Sequence, residues 1–216
     1  MAPNHEPVEG HMARPKREDI NDVNRRNDLV IAAAMLFKER GYHGTTMRDI
    51  ARATNMQAGS PFYHFASKQD LLFAGVEESL LGCLADLEAI DPQAMPALGY
   101  FRALVRAHLQ RLLETQGGMV PMVVDEWRYL EGAQLEVVLA IRRRFEALWQ
   151  DAFVRLKDAG HTKRSDPMAC RFFLSALHGT VRWYRPDGPL SPAEIADELV
   201  DYTLCSAADV EDHYSR

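Results

Sequence analysis

The stretch Thr45-Thr46-Met47-Arg48-Asp49-Ile50-Ala51-Arg52-Ala53-Thr54-Asn55-Met56-Gln57-Ala58-Gly59-Ser60-Pro61-Phe62-Tyr63-His64-Phe65 decides the fold. Thr46 offers a capping hydroxyl and Asp49 a carboxylate three residues later, the pattern of a helix start. Ile50 and Ala51 supply an inward apolar face, so a helix is expected from about Thr46 to Arg52. Thr54-Asn55-Met56 reads as a turn. Asn55 tolerates the left-handed conformation such a turn needs, and Met56 plugs the gap between crossing helices. A second short helix follows, from about Ala58 to His64. This is the size and order of a helix-turn-helix, whose last helix enters the major groove of DNA.

Upstream, Val30, Ala33, Ala34 and Phe37 keep helical spacing, and Gly41 stands where a C-cap belongs. Residues 1–22 are polar, with Pro3, Pro7, Gly10 and Pro15, and are expected to form a disordered arm. Gly10-His11-Met12 has the form of an expression-vector junction, which leaves the native status of the preceding residues open. Downstream, Ser67 and Asp70 repeat the helix-start pattern ahead of Leu71, Leu72 and Val76. Helices are then expected from Ala97 to Glu114 and, after a shorter segment at Val120 to Leu130, along the face Leu135, Val138, Ile141, Phe145, Trp149, Ala152 and Leu156. Asp166-Pro167 opens another through Tyr184, and Ser191-Pro192 the last. Strand alternation is absent, so the fold class is all-α.

The chain carries a net charge of −6, unevenly spread. Residues 12–68 hold ten Lys/Arg against six Asp/Glu, and residues 69–216 fifteen against twenty-three. A basic first third on an acidic remainder suits phosphate contact, because affinity for phosphate follows local cations. No run of about 18 apolar residues is present, nor an apolar leader, so a cytoplasmic protein without membrane contact is expected. Cys83, Cys170 and Cys205 make neither a zinc spacing nor a disulfide framework and are expected to be buried and reduced. No glycine-rich phosphate loop, paired-histidine metal helix or G-x-S-x-G elbow appears. The sequence therefore reads as a non-enzyme with no catalytic residue, metal or cofactor.

Ala34-Met35-Leu36-Phe37, Gly41-Tyr42, Thr45-Thr46, Asp49-Ile50-Ala51 and Phe62-Tyr63-His64-Phe65-Ala66-Ser67-Lys68 closely resemble the N-terminal signature of the TetR family of transcriptional regulators. The resemblance covers about Asn24 to Val76. It implies a DNA-binding domain at residues 23–69 and a ligand-binding and dimerisation domain at 70–216. It further implies that Thr45, Thr46, Tyr63, His64 and Lys68 hold DNA phosphates, while Gln57, Ala58, Ser60 and Phe62 face the bases. The family usually has Leu-Tyr where this chain has Pro61-Phe62. Phe62 lacks the phenol hydroxyl, leaving an apolar face suited to a thymine methyl, and Pro61 is expected to distort the reading helix without abolishing it. Phe65 is expected in the core.

Glu126-Trp127-Arg128-Tyr129-Leu130, Arg144-Phe145-Glu146 and Trp183-Tyr184-Arg185-Pro186-Asp187-Gly188-Pro189-Leu190-Ser191-Pro192 resemble the branch of that family that controls fatty-acid, sterol and acyl-CoA catabolism. This implies a repressor released from a palindromic operator by a hydrophobic effector such as an acyl-CoA or fatty acid. Trp127, Phe145, Trp149 and Phe173 are then candidates for the chamber wall, and Arg142-Arg143-Arg144 for CoA phosphates. A homodimer through the last two helices is expected, with Leu177 and Leu199 in its interface. The alternative is a ligand-binding or interaction protein of the same fold with no operator of its own.

Overall fold

The computed structural model describes residues 17–114 and 126–208. These form eight α-helices: α1 Arg17–Gly44, α2 Met47–Ala53, α3 Pro61–His64, α4 Lys68–Glu88, α5 Ala97–Glu114, α6 Gly132–Asp158, α7 Pro167–Gly179 and α8 Pro192–Ala208. Short 3-10 turns occupy Glu126–Tyr129 and Thr180–Arg182, and no strand occurs among the described residues. None of the described helices is long and apolar enough to cross a membrane.

The local signals act where they stand. Thr46 caps α2, Ser67 caps α4 and Asp166 caps α7, each accepting from the backbone N–H three residues on. Ser191 caps α8, and the Glu194 carboxylate reaches back to the Ser191 N–H at 2.8 Å. Gly41, at φ 73° and ψ 163°, breaks α1 before its last turn. Gly160, at φ 78°, ends α6, and the N–H of His161 closes onto the Leu156 carbonyl at 2.9 Å.

Three expectations need correction. First, the helical chain starts at Arg17, inside the stretch expected to be disordered. Between Pro15 and Gly41 there is no helix breaker, and extending an existing helix by polar residues needs no new nucleus. Second, α7 stops at Gly179 and tightens into a 3-10 turn before Tyr184. Third, the apolar face of α7 expected at a dimer contact lies inside the protomer. Cys170, Phe173, Leu174 and Leu177 are buried against the body, as is Ile195 on α8. The face α7 leaves to solvent carries Met168, Phe172, Ser175 and Ala176, with Phe172 66% exposed, and α8 exposes Tyr202.

The core of the body is aromatic. Phe101 of α5 meets Trp149 and Phe153 of α6 edge-on at 5.9 and 5.2 Å between ring centroids, and Phe173 of α7 at 5.0 Å. Arg102 and Arg106 of α5 pair with Asp197 of α8, and Arg102 also with Asp201. Such half-exposed pairs fix the register of α8 on α5 more than they add stability, at about 0–1 kcal/mol each. Cys83 and Cys170 are buried free thiols. Burial pushes them up to about 12 and about 11, which leaves them inert. The side chain of Cys205 lies outside the described residues.

Candidate DNA-contact face and ligand cavity

Between α2 and α3 the chain turns through Asn55 at φ 55°, and the Met56 N–H closes onto the Ala51 carbonyl at 2.8 Å. The reading segment is tighter than its sequence suggests. Ser60, Phe62 and Tyr63 each donate to the carbonyl three residues back, at 2.9, 3.2 and 3.1 Å, so residues 57–63 wind as successive narrow turns. True α-helix begins only at Pro61, which is buried at the first helical position and has no N–H to donate. Gln57, Ala58, Ser60 and Phe62 all point to solvent, and Tyr63 is 81% exposed. Phe65 is buried, as expected.

Thr45, Lys68 and His64 are placed otherwise than expected. Thr45 is wholly buried, and its hydroxyl is shared between the carbonyls of Leu36 at 3.2 Å and Gly41 at 3.0 Å. It has no surface left for a phosphate. Lys68 turns inward, where its ammonium donates to the carbonyls of Tyr42 at 2.7 Å and Thr45 at 2.8 Å and lies 4.1 Å above the Tyr42 ring. Burial there lowers its pKa. The two side chains thus tie the backbone around the break at Gly41, Thr45 through the carbonyls of Leu36 and Gly41 and Lys68 through those of Tyr42 and Thr45. The side chain of His64 is nearly buried, with Nδ1 3.6 Å from the Asp22 carboxylate. Thr46 stays exposed, but its N–H and hydroxyl are both taken by Asp49, at 3.0 and 2.5 Å, which holds that carboxyl below its usual range. Arg25, Arg48 and Arg52 remain exposed around the head.

The head meets the body at a stack of rings. Tyr129, in the 3-10 turn, lies on Tyr42 at 5.1 Å and 11°, with His43 edge-on to Tyr129 at 4.6 Å. Two residues before Tyr129 in the same turn, Trp127 lies under the Arg142 guanidinium at 4.5 Å. A second link runs from α4 to α6: Gln69 donates to Gln134 at 3.0 Å, and Gln134 to Asp70 at 2.7 Å.

A cavity of about 630 Å³ opens between α4, α5, α6 and α7, within the usual range for small-molecule sites. Leu80, Leu112, Phe145 and Leu174 give apolar wall, and Arg111, Arg128, Arg142 and Arg182 bring guanidinium groups. Arg128 and Arg182 are exposed at its rim. Two histidines lie deep in it, with ring centroids 5.1 Å apart: His108 on α5 and His178 on α7. Burial keeps both neutral. It drives His108 well below the ordinary histidine value, with His178 adding to the effect, and takes His178 to about 4, with Arg142 adding to the effect. Gly82 of α4 allows Arg111 to lie close, since a Cβ there would come within 2.8 Å of the guanidinium. Arg111 is also paired with Asp86.

Of the four aromatic residues expected in the chamber wall, Phe145 lines the cavity. Trp149 and Phe173 sit behind it in the core, and Trp127 lies at its edge beneath Arg142. Within the arginine run, Arg142 faces the cavity, Arg143 is exposed, and Arg144 pairs with Glu88 at 2.9 Å. Sequence reasoning missed His108, His178, Arg128 and Arg182. The helical phase of His108 with Val105 and Leu109 is the one signal that places it on an inward face.

A helix-turn-helix head with a solvent-facing reading segment, carried on an all-helical body that encloses a ligand-sized cavity, defines a DNA-binding transcriptional regulator. Residues 29–74 match the family model described as bacterial regulatory proteins, tetR family, and residues 97–206 the tetracyclin repressor-like C-terminal domain. The chain belongs to the TetR family. It is 30% identical over 201 residues to the HTH-type transcriptional repressor KstR2 of Rhodococcus jostii, covering 89% of this chain and 96% of that protein. Among solved structures, it is similar to the ketosteroid transcriptional regulator KstR2 of Mycobacterium tuberculosis, at 26% identity and TM-score 0.75, covering 84% and 94% of the two chains. It is also similar to the TetR family transcriptional regulator PfmR of Thermus thermophilus, at 28% identity and TM-score 0.72, covering 82% and 97%.

Proposed function

We propose that this regulator is a homodimeric repressor that leaves a palindromic operator when an apolar ligand with an anionic head, such as an acyl-CoA thioester or the parent acid, enters the cavity. The observation that carries the reading is the shared 3-10 turn. Arg128 in the turn and Arg142 above it line the cavity, while Tyr129 in the same turn rests on the DNA-binding head. An anionic group drawn to Arg142 competes with Trp127 for the guanidinium, and a shift of the turn reaches Tyr42, which Lys68 ties to the start of α4. A ligand moves the equilibrium only by its differential affinity for the two states. Gln57, Ala58, Ser60 and Phe62 face the bases, with Tyr63 on phosphate and the four guanidinium groups at the ligand's anionic end.

Fluorescence anisotropy on operator DNA from the promoter of its own gene, with and without a panel of acyl-CoAs and free acids, tests this. At least one member should weaken operator binding about 5–150-fold, a coupling of about 1–3 kcal/mol. By linkage, DNA should weaken that ligand by the same factor. Loss of operator binding without any ligand would instead favour a protein of this fold that has no operator, a reading motivated by the shortened α3 after Pro61.

A further inference from the structure

The reading segment holds a glycine that the fold does not require. Gly41 and Gly160 stand at positive φ, where other residues are strained. Gly59 does not: its φ lies outside the left-handed region, and a Cβ built on it meets no atom within 4 Å. Alanine would fit there and would restrict the unfolded chain, so the protomer forgoes stability at this position. Gly59 is exposed, between exposed Ala58 and exposed Ser60, and this part of the segment presents little but backbone. The narrow winding sets its neighbour. The Phe62 N–H donates to the Gly59 carbonyl at 3.2 Å, and in such a turn residues three apart stand over one another. Phe62 is 51% exposed, and its ring stays more than 4 Å from where a Gly59 Cβ would lie. The bare Cα of Gly59 and the ring of Phe62 thus flank an open, apolar notch.

We infer that this notch takes the 5-methyl group of one thymine in each operator half-site: the methyl rests on the Gly59 Cα and against the Phe62 ring. The inference rests on the reading above, in which Phe62 faces the bases. Of the four bases only thymine carries a methyl on its major-groove edge. Gly59 acts through the side chain it lacks. A Cβ there fills the notch first and holds the segment off the base, while it meets nothing in the free protein. Gly59 is therefore a specificity-determining residue that contributes shape and no hydrogen bond.

The test exchanges a methyl between protein and DNA. Duplexes carrying the operator from the promoter of its own gene are made with dU in place of dT, one position at a time and in both half-sites, which removes only the methyl. Fluorescence anisotropy compares the full-length wild type, Gly59→Ala and Phe62→Ala. For the wild type, dU at one position should cost about fourfold in affinity for each half-site, the share of one buried CH2. Gly59→Ala should be at least as stable to urea as the wild type. It should nonetheless bind the parent operator at least about tenfold more weakly. For this variant, dU at the same position should restore most of the loss, because the alanine methyl takes the space the thymine methyl vacates. Phe62→Ala should bind dT and dU alike at that position. The notch is overturned by a Gly59→Ala variant less stable than wild type, by one that binds the parent operator as wild type does, or by one equally weakened on dT and dU duplexes. A wild type indifferent to dU at every position overturns it too, and leaves the operator-binding regulator standing. If the wild type binds none of the duplexes, the operator reading falls and this inference with it.

Discussion

Tyr129 lies flat on Tyr42, 5.1 Å between centroids, and links the 3-10 turn of the body to the end of α1. Aromatic pairs of this kind add about 0.5–1.5 kcal/mol beyond their buried area. Tyr129→Ala should therefore leave ligand binding near wild type while cutting the ligand's effect on operator affinity to about threefold or less. Operator titrations at zero and saturating ligand measure it. Full release in the variant would show that the signal travels by another route, such as the Gln69–Gln134–Asp70 link.

Lys68 ties the start of α4 to the carbonyls of Tyr42 and Thr45. Lys68→Ala leaves both without that donor, at a cost of about 1–3 kcal/mol in stability. It should weaken all operator variants alike. The slope of log affinity against log salt should stay unchanged, because the ammonium serves backbone carbonyls. A slope flattened by about one unit would return Lys68 to direct phosphate contact.

Gln57 projects from the exposed turn that opens the reading segment. Gln57→Ala should relax preference at one operator position per half-site by about 1–3 kcal/mol. Tyr63→Phe should weaken every sequence equally, as loss of a phosphate contact does. Competition binding across single-base operator variants separates the two; a uniform loss for Gln57→Ala would assign it to the backbone.

The exposed face of α7 should form the dimer contact. Phe172→Glu is expected to give folded monomers by light scattering, with operator affinity lost. Leu177→Arg, by contrast, puts an unpaired charge in the protomer core and should unfold the chain. A dimeric Phe172→Glu would move the interface elsewhere.

His178 is held at about 4 against an ordinary value of 6.5. The unfolded chain binds a proton there between those two values and the folded chain does not. Stability is therefore complete above about pH 6.5 and falls as pH drops toward 4, by roughly 3 kcal/mol if this group acts alone. His108 moves in the same direction. Denaturant unfolding at pH 7.5 and 5 should show the loss, and His178→Gln should reduce it. A flat profile in the wild type would contradict a neutral histidine floor.

Helix starts were readable from the sequence because their chemistry is local. Thr46 with Asp49, Ser67 with Asp70, Asp166 before Pro167 and Ser191 with Glu194 each lie within one turn and each caps a helix. The reading turn was readable for the same reason, through Asn55. Thr45 and Lys68 were misjudged because a polar group near a helix start looks the same whether it faces a phosphate or a carbonyl. The carbonyls that hold Lys68 lie 23 and 26 residues away. The cavity was the least legible part. Its wall draws on four helices, and nothing in the spacing of His108 and His178 announces that their rings meet.

Gly82 gives the cavity an adjustable capacity over evolutionary time. Any side chain at that position meets the Arg111 guanidinium, and Arg111 is itself part of the wall. Glycine and alanine codons differ by one base. A single mutation on α4 can therefore displace a cation of the cavity wall while the substituted position itself lies outside the lining. Such a change leaves the operator-reading segment as it was, so a duplicated copy of this gene has a short path to a new signal on an old promoter.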